Sequence, residues 1–157
     1  MKLGNEWGRD GGVIAGAGAV RVKTGTETVT GTNTYSGVTT MTAGTLALTG
    51  TGSIANSSNV ADSGTLDISG ATSGASIVTL SGTGGVTLGA RTLTLSNASG
   101  TYAGTIAGKG VVTLTTGTEP LPGPNNCRRW TQITPGPLAR ETGPPNVWKR
   151  ERNRGRA

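Results

Sequence analysis

The chain has no Phe and no His among its 157 residues, a single Cys (Cys127), and no Pro before Pro120. Each absence removes a class of protein. Without His, the usual proton shuttle near neutral pH and the commonest metal ligand are both missing. One thiol cannot close an intramolecular disulfide, so a stapled miniature fold is excluded. Leu, Ile and Val together number 28, about 18% of the chain, below the rough 20% level at which disorder competes with folding. An aromatic-anchored globular core is therefore out of reach, and any folded state must bury its few aliphatic residues with great regularity. No apolar run approaches the ~20 residues that cross a bilayer as a helix. The first residues, MKLGNEWGRDGG, lack the apolar stretch of about 7–15 residues that marks a secretory signal.

Charge is scarce where the chain is regular. Residues 1–126 hold six Lys or Arg and six Asp or Glu, which cancel. The whole formal charge of +6 sits in residues 127–157, together with four of the seven prolines. The basic pI belongs to this terminal stretch and says nothing about the rest.

What the chain does have is 28 Gly, 28 Thr and internal repetition. The segment GVIAGAGAVRVKTGTE (Gly12 to Glu27) aligns without gaps on GTIAGKGVVTLTTGTE (Gly104 to Glu119), with ten of sixteen positions identical at an offset of 92. A shorter period lies inside the longer one. GTLALTG (Gly44 to Gly50) recurs twenty residues on as GTLDISG (Gly64 to Gly70), and GVTLGA (Gly85 to Ala90) follows more loosely. Leu46, Leu66 and Val86 form one column; Leu48, Ile68 and Leu88 form the next; Gly44, Gly64 and Gly84 precede them. NTYSG (Asn33 to Gly37) and GTYAG (Gly100 to Gly104) place Tyr35 and Tyr102 in matching settings.

Within these units hydrophobicity alternates with period two, as in Thr45-Leu46-Ala47-Leu48-Thr49, so aliphatic side chains share one face and Thr, Ser and charged ones the other. Thr is β-branched and suits a solvated strand face. Gly between the runs supplies corners. Short strands at a ~20-residue period predict an all-β solenoid, a short parallel β-helix of about five to six coils spaced about 4.8 Å apart. Its span is residues 12–126, between a flexible segment 1–11 and a disordered, basic, Pro- and Arg-rich tail 127–157. An antiparallel sandwich would also show short alternating strands, but it gives no reason for the 92-residue self-match. Disorder of the whole chain is the remaining alternative.

These residues resemble the passenger-associated β-strand repeats of bacterial autotransporters, the type V secreted surface proteins. The resemblance rests on TGTNTYSGVTTMTAGTLALTG (Thr30 to Gly50), the later GTLDISG, and the GxIxGxGxV lead-in at Gly12 and Gly104. It covers about residues 12–126. It implies a right-handed β-helix serving as a non-catalytic stalk that displays other segments at the cell surface, its parent held by an outer-membrane barrel that this chain lacks. The departures are equally specific. Where the first copy reads Thr28, Thr30 and Thr32, the second has Pro120, Pro122 and Pro124, and the repeat vanishes after Asn126. A truncated fragment whose tail is read out of frame with the repeat accounts for both.

Candidate sites are few. Arg128, Arg129, Lys149, Arg150 and Arg152, near Trp130 and Trp148, could contact phosphates and bases weakly, but charge in a Pro-rich tail is ordinarily incidental and no specific nucleic acid is expected. Asp62 and Asp67, with Arg91 and Lys109, are the only candidates for polysaccharide cleavage, which needs carboxylates converging on one cleft; a solvated face is the expected setting for them. The alternation from Thr24 to Thr34 suggests a flat threonine array of the ice-binding kind, though the next coil offers only a patchy continuation. Tyr35 and Tyr102 are structural aromatics or, alternatively, a platform for a glycan. No metal or cofactor motif is present, and no catalytic residue is assigned. The competing class to a stalk is an adhesin-like module that binds carbohydrate or a host surface through its solvated Thr and Ser faces.

A solenoid with uncapped ends presents unpaired strand edges. The isolated chain is expected to be marginally stable and to stack end to end. Light scattering and a thermal scan check this; a monodisperse monomer melting cooperatively above about 60 °C would overturn it.

Overall fold

The structure, a computed structural model, describes residues 2–3, 8–122 and 129–132. Among them lie fifteen short strands: β1 (Lys2–Leu3), β2 (Gly8–Asp10), β3 (Val20–Val22), β4 (Thr26–Val29), β5 (Thr39–Met41), β6 (Thr45–Leu48), β7 (Val60–Asp62), β8 (Thr65–Asp67), β9 (Ala75–Ile77), β10 (Leu80–Gly82), β11 (Gly85–Gly89), β12 (Thr92–Leu95), β13 (Thr105–Gly108), β14 (Val111–Leu114) and β15 (Arg129–Gln132). No helix occurs among the described residues, and so none long and apolar enough to cross a membrane.

Every strand pairing is parallel, and each strand pairs with its counterpart one coil away. Three stacked faces result. The first runs β1-β3-β5-β7-β10, the second β2-β4-β6-β8-β11-β13, the third β9-β12-β14-β15. Six strands on the second face mean about five turns of a parallel β-helix, each rising about 4.8 Å. The third face forms regular strands only from β9 onward; in earlier coils single bridges such as Thr32 to Ser53 take its place.

The twenty-residue columns expected from sequence are the inward rows of the second face. Leu46 pairs with Leu66 and Leu66 with Val86, and Val86 continues to Ile106. The burial pattern alternates in register, iBiB in β4 and β6 and iBi in β8, so period two in the sequence is in–out in space. Val22, Leu46, Leu48, Leu66, Ile68, Val86, Leu88, Leu93 and Val112 are all at most 1% exposed. A small aliphatic inventory thus suffices for a dry core, because each residue packs on its own counterpart above and below.

The glycine column has a steric cause. A Cβ on Gly64 would lie 2.5 Å from the Gly44 carbonyl oxygen, and one on Gly84 2.5 Å from that of Gly64. At this corner, between the first and second faces, adjacent coils approach too closely for any side chain.

Strand pairing extends beyond the expected span. The segment 1–11, expected to be flexible, supplies β1 and β2, paired on β3 and β4. Residues 129–132, assigned to the tail, pair on β14 as β15. The backbone donors and acceptors of an exposed edge are satisfied by any chain of suitable length, whatever its side-chain pattern, and so repeat matching alone does not see these strands.

The 92-residue self-match also acquires a different meaning. Counting by ladder partners, Val20 leads to Thr39, Val60 and Leu80 on the first face, whereas its sequence match, Val112, lies on the third. The two copies are therefore offset by a non-integral number of coils. The same sequence runs through two different corners of the rod.

Deleting a column member leaves a void that rigid neighbouring coils cannot fill. Leu66→Ala should cost about 2–5 kcal/mol in urea unfolding, whereas Thr65→Ala on the outward side should cost less than about 1 kcal/mol.

Candidate functional site

The chemistry-bearing side chains of this rod are mostly inside it. Three buried polar knots interrupt the aliphatic columns, and each sits where the coil turns a corner.

The first joins Tyr35, Thr39 and Ser57. Thr39 occupies an inward position of β5 between Val20 and Val60 and is fully buried, so its hydroxyl needs a partner inside. It shares hydrogen bonds with the Tyr35 hydroxyl and, at 2.8 Å, with Ser57 Oγ, which also donates to the carbonyl oxygens of Gly37 and Asn59. Burial pushes the Tyr35 phenol above its ordinary range. Nearby, the buried Asn33 accepts from the Ile14 amide at 2.7 Å.

The second knot joins Asp62 and Tyr102 across two coils. Asp62 ends β7 on the inward face, in the row Met41–Asp62–Gly82–Tyr102. Gly82 carries no side chain and has φ 114°, so the Tyr102 ring can lie over it and reach the coil beyond. The Tyr102 hydroxyl donates to Asp62 Oδ2 at 3.0 Å, and the Gly64 amide donates to Oδ1 at 2.9 Å. Burial raises the Asp62 carboxyl against the opposing pull of these donors, and burial beside that carboxylate raises Tyr102 further still.

The third knot repeats the two-coil reach. Glu119 Oε2 accepts from Thr79 Oγ1 at 3.1 Å and from the Gly100 amide at 3.2 Å, and Thr79 Oγ1 in turn accepts from the amides of Ser99 and Gly100. Glu119 is 1% exposed and its Oε1 makes no hydrogen bond. Burial is the main cause that pushes this carboxyl up to about 7, against the pull of the Thr79, Gly100 and Leu80 donors.

Asp62 departs from its expected placement, while the glycan-platform alternative for the tyrosines falls away. Tyr35 and Tyr102 are 2% and 0% exposed, so neither offers a ring face to a glycan; both are internal braces. Asp62, expected on a solvated face, is buried. The signal was present, because in Val60-Ala61-Asp62 the period of two puts Asp62 on the side of Val60. Its partner forty residues away was not legible. Asp67 does face outward, in β8 between the inward Leu66 and Ile68, and accepts from the Ser69 amide. Arg91 donates to the Thr72 carbonyl, and Lys109 is exposed one coil further on at the same corner, between the second and third faces. Asp62 is thus inside the rod and Asp67 on the outward side of the second face, so the two carboxylates do not converge on one cleft. Among the described residues no group of three or more His, Cys, Asp or Glu is placed to hold a metal.

The outward threonines form partial ladders: on the third face Ser76, Thr94 and Thr113 pair in one row, with Thr131 next on the backbone ladder, and the second face has two broken rows. Thr26, Thr45, Thr65 and Thr105 share a row broken by Gly85, while the companion row reads Thr28, Ala47, Asp67, Thr87, Ala107. Of the basic candidates, Arg129 lies in β15 with its backbone paired to Val111; Arg128, Lys149, Arg150 and Arg152, with Cys127, lie outside the described residues.

No protein-family model, curated protein or solved structure matches the chain.

Tyr102→Phe removes the hydroxyl while keeping the ring, leaving Asp62 Oδ2 buried without a donor. Chemical unfolding should show a loss of about 1–3 kcal/mol, whereas Tyr102→Phe combined with Asp62→Leu should recover part of it.

Proposed function

We propose that this chain is a non-catalytic segment of a surface-display stalk, a piece of the passenger of an autotransporter that stands outside the cell in its intact parent. The reading is carried by one observation. The inward columns hold register over about five coil steps, and two of the buried acids, Asp62 and Glu119, are spent on bracing coils two apart. A stalk needs length and stiffness, which parallel stacking provides at about 4.8 Å per coil. It needs no reacting groups at its surface. The Tyr-Ser-Gly and Ala-Gly-Thr-Leu motifs that resemble the autotransporter repeat lie in the stretch from Thr30 to Gly50, which carries β5 and β6. Fold alone does not confer this role; motif and bracing together support it.

The adhesin-like alternative places binding on the outward Thr rows, and the two readings part experimentally. The full chain is inserted between a fluorescent tag and an unrelated outer-membrane anchor on a bacterial surface. For a stalk, the tag moves outward by roughly 25 Å, the length of five coil steps, and cells gain no adhesion to glycan-coated surfaces. Saturable glycan binding conferred by the insert would establish the adhesin reading in its place, and an unmoved tag would defeat the stalk reading.

A further inference from the structure

Among the acids of the described residues, Glu119 alone has a fully buried oxygen that makes no hydrogen bond. Its other oxygen ties together three successive levels, its own segment, Gly100 one coil back, and Thr79 two coils back. Gly100 is obligatory to this arrangement, since a Cβ there would lie 3.0 Å from Glu119 Oε1 and 2.1 Å from the Leu80 carbonyl oxygen.

The groups that meet Glu119 are the Thr79 hydroxyl and the Gly100 and Leu80 amides, and none is a cation. On the adjoining row, Tyr102 and Asp62 are the titratable groups, and they are committed to each other. The Tyr102 amide donates to the Pro120 carbonyl, next to Glu119 in the chain. Of the cations whose side chains are described, Arg91 is bound to the Thr72 carbonyl, while Arg21, Lys23 and Lys109 are exposed. A carboxylate sealed from water, met by neutral donors and by no cation among the described residues, is costly to ionise in place. Its neutral form carries a proton on one oxygen and keeps an acceptor for Thr79 and Gly100.

We infer that Glu119 is a proton-gated latch: neutral, it fastens the segment around residues 117–121 to the two coils before it, and on ionisation that segment loosens from the rod. The direction follows from linkage. The folded carboxyl is raised from 4.5 to about 7, so the latch's contribution is fully present below about pH 4.5 and is lost as pH rises through about 7. No other described acid has a fully buried oxygen without a hydrogen bond. The Asp62 carboxylate has a donor on each oxygen, and its coil is enclosed by strands on both sides. A terminal turn that tightens in acid would set the local stability of this end without touching the columns.

Hydrogen exchange of the full chain reads the latch directly. The Gly100 and Tyr102 amides bond within the latched region, and the Thr118 amide donates to the Ala98 carbonyl; the Ile68 amide, on Thr87, reports the central coils. After division by the intrinsic rate, protection at Gly100, Tyr102 and Thr118 should fall at least about tenfold between pH 5 and pH 7.5, while Ile68 stays constant. Glu119→Gln, a neutral isostere, should hold that protection independent of pH. Thr79→Val should lower it already at pH 5. The inference is overturned by a flat wild-type profile or by the same pH dependence in Glu119→Gln. Should Glu119→Gln also lose protection at Ile68, the wild-type profile decides alone.

Discussion

In a parallel solenoid each inward side chain has the same two neighbours, the residues one coil above and one coil below. Register is therefore the constraint on which the rest of this molecule depends. A row such as Leu46–Leu66–Val86–Ile106 is dry and continuous only because its members sit at matched positions of successive coils. Slip by one residue would turn the entire row to solvent. This is how 28 branched aliphatic residues can make a core in a chain of 157. It is also why the corners tolerate nothing larger than glycine where Gly44, Gly64 and Gly84 stack on one another's carbonyl oxygens.

Aliphatic rows alone do not specify which coil stacks on which, since Leu on Leu is equally good one coil further along. The polar knots remove that ambiguity. Thr39 can be satisfied only by Tyr35 and Ser57, and Asp62 only where Tyr102 lies two coils away over a glycine. A buried polar group that finds its partner in one register and loses it in another penalises the wrong stacking by a desolvation cost. Register marking is the best-attested use of such groups. Ordinary burial energy then supplies the stability, and the knots supply uniqueness.

The same economy shapes the surface. With Asp62, Glu119 and both tyrosines turned inward, the described rod presents Thr, Ala, Ser and Gly rows with few charges, which suits a spacer whose task is to hold shape. Glu119, the described ionisable group with a fully buried oxygen that makes no hydrogen bond, lies near the end of the repeat, where the sequence turns to Pro120 and Pro122 and β13 is the last described strand of the second face. Stability at that end and stability of the central coils are thus set by different physics, protonation in the first case and packing in the second.

The sequence by itself determined the strand period, the parallel solenoid and the identity of the main columns, because these depend only on spacing along the chain: two residues for in and out, about twenty for one turn. Even Asp62's inward orientation was written in Val60-Ala61-Asp62. What only the tertiary structure decided was which residues meet across coils. Tyr102 and Asp62, or Glu119 and Thr79, are forty residues apart in each case, and their pairing depends on glycines that clear the coil between them and on turns of 18 to 21 residues, as from Ala75 to Leu93 and from Thr39 to Val60. Those small differences in turn length accumulate. They carry the second copy of the 92-residue repeat onto another face, so that similar segments stand in dissimilar surroundings, and local sequence holds no record of that rotation.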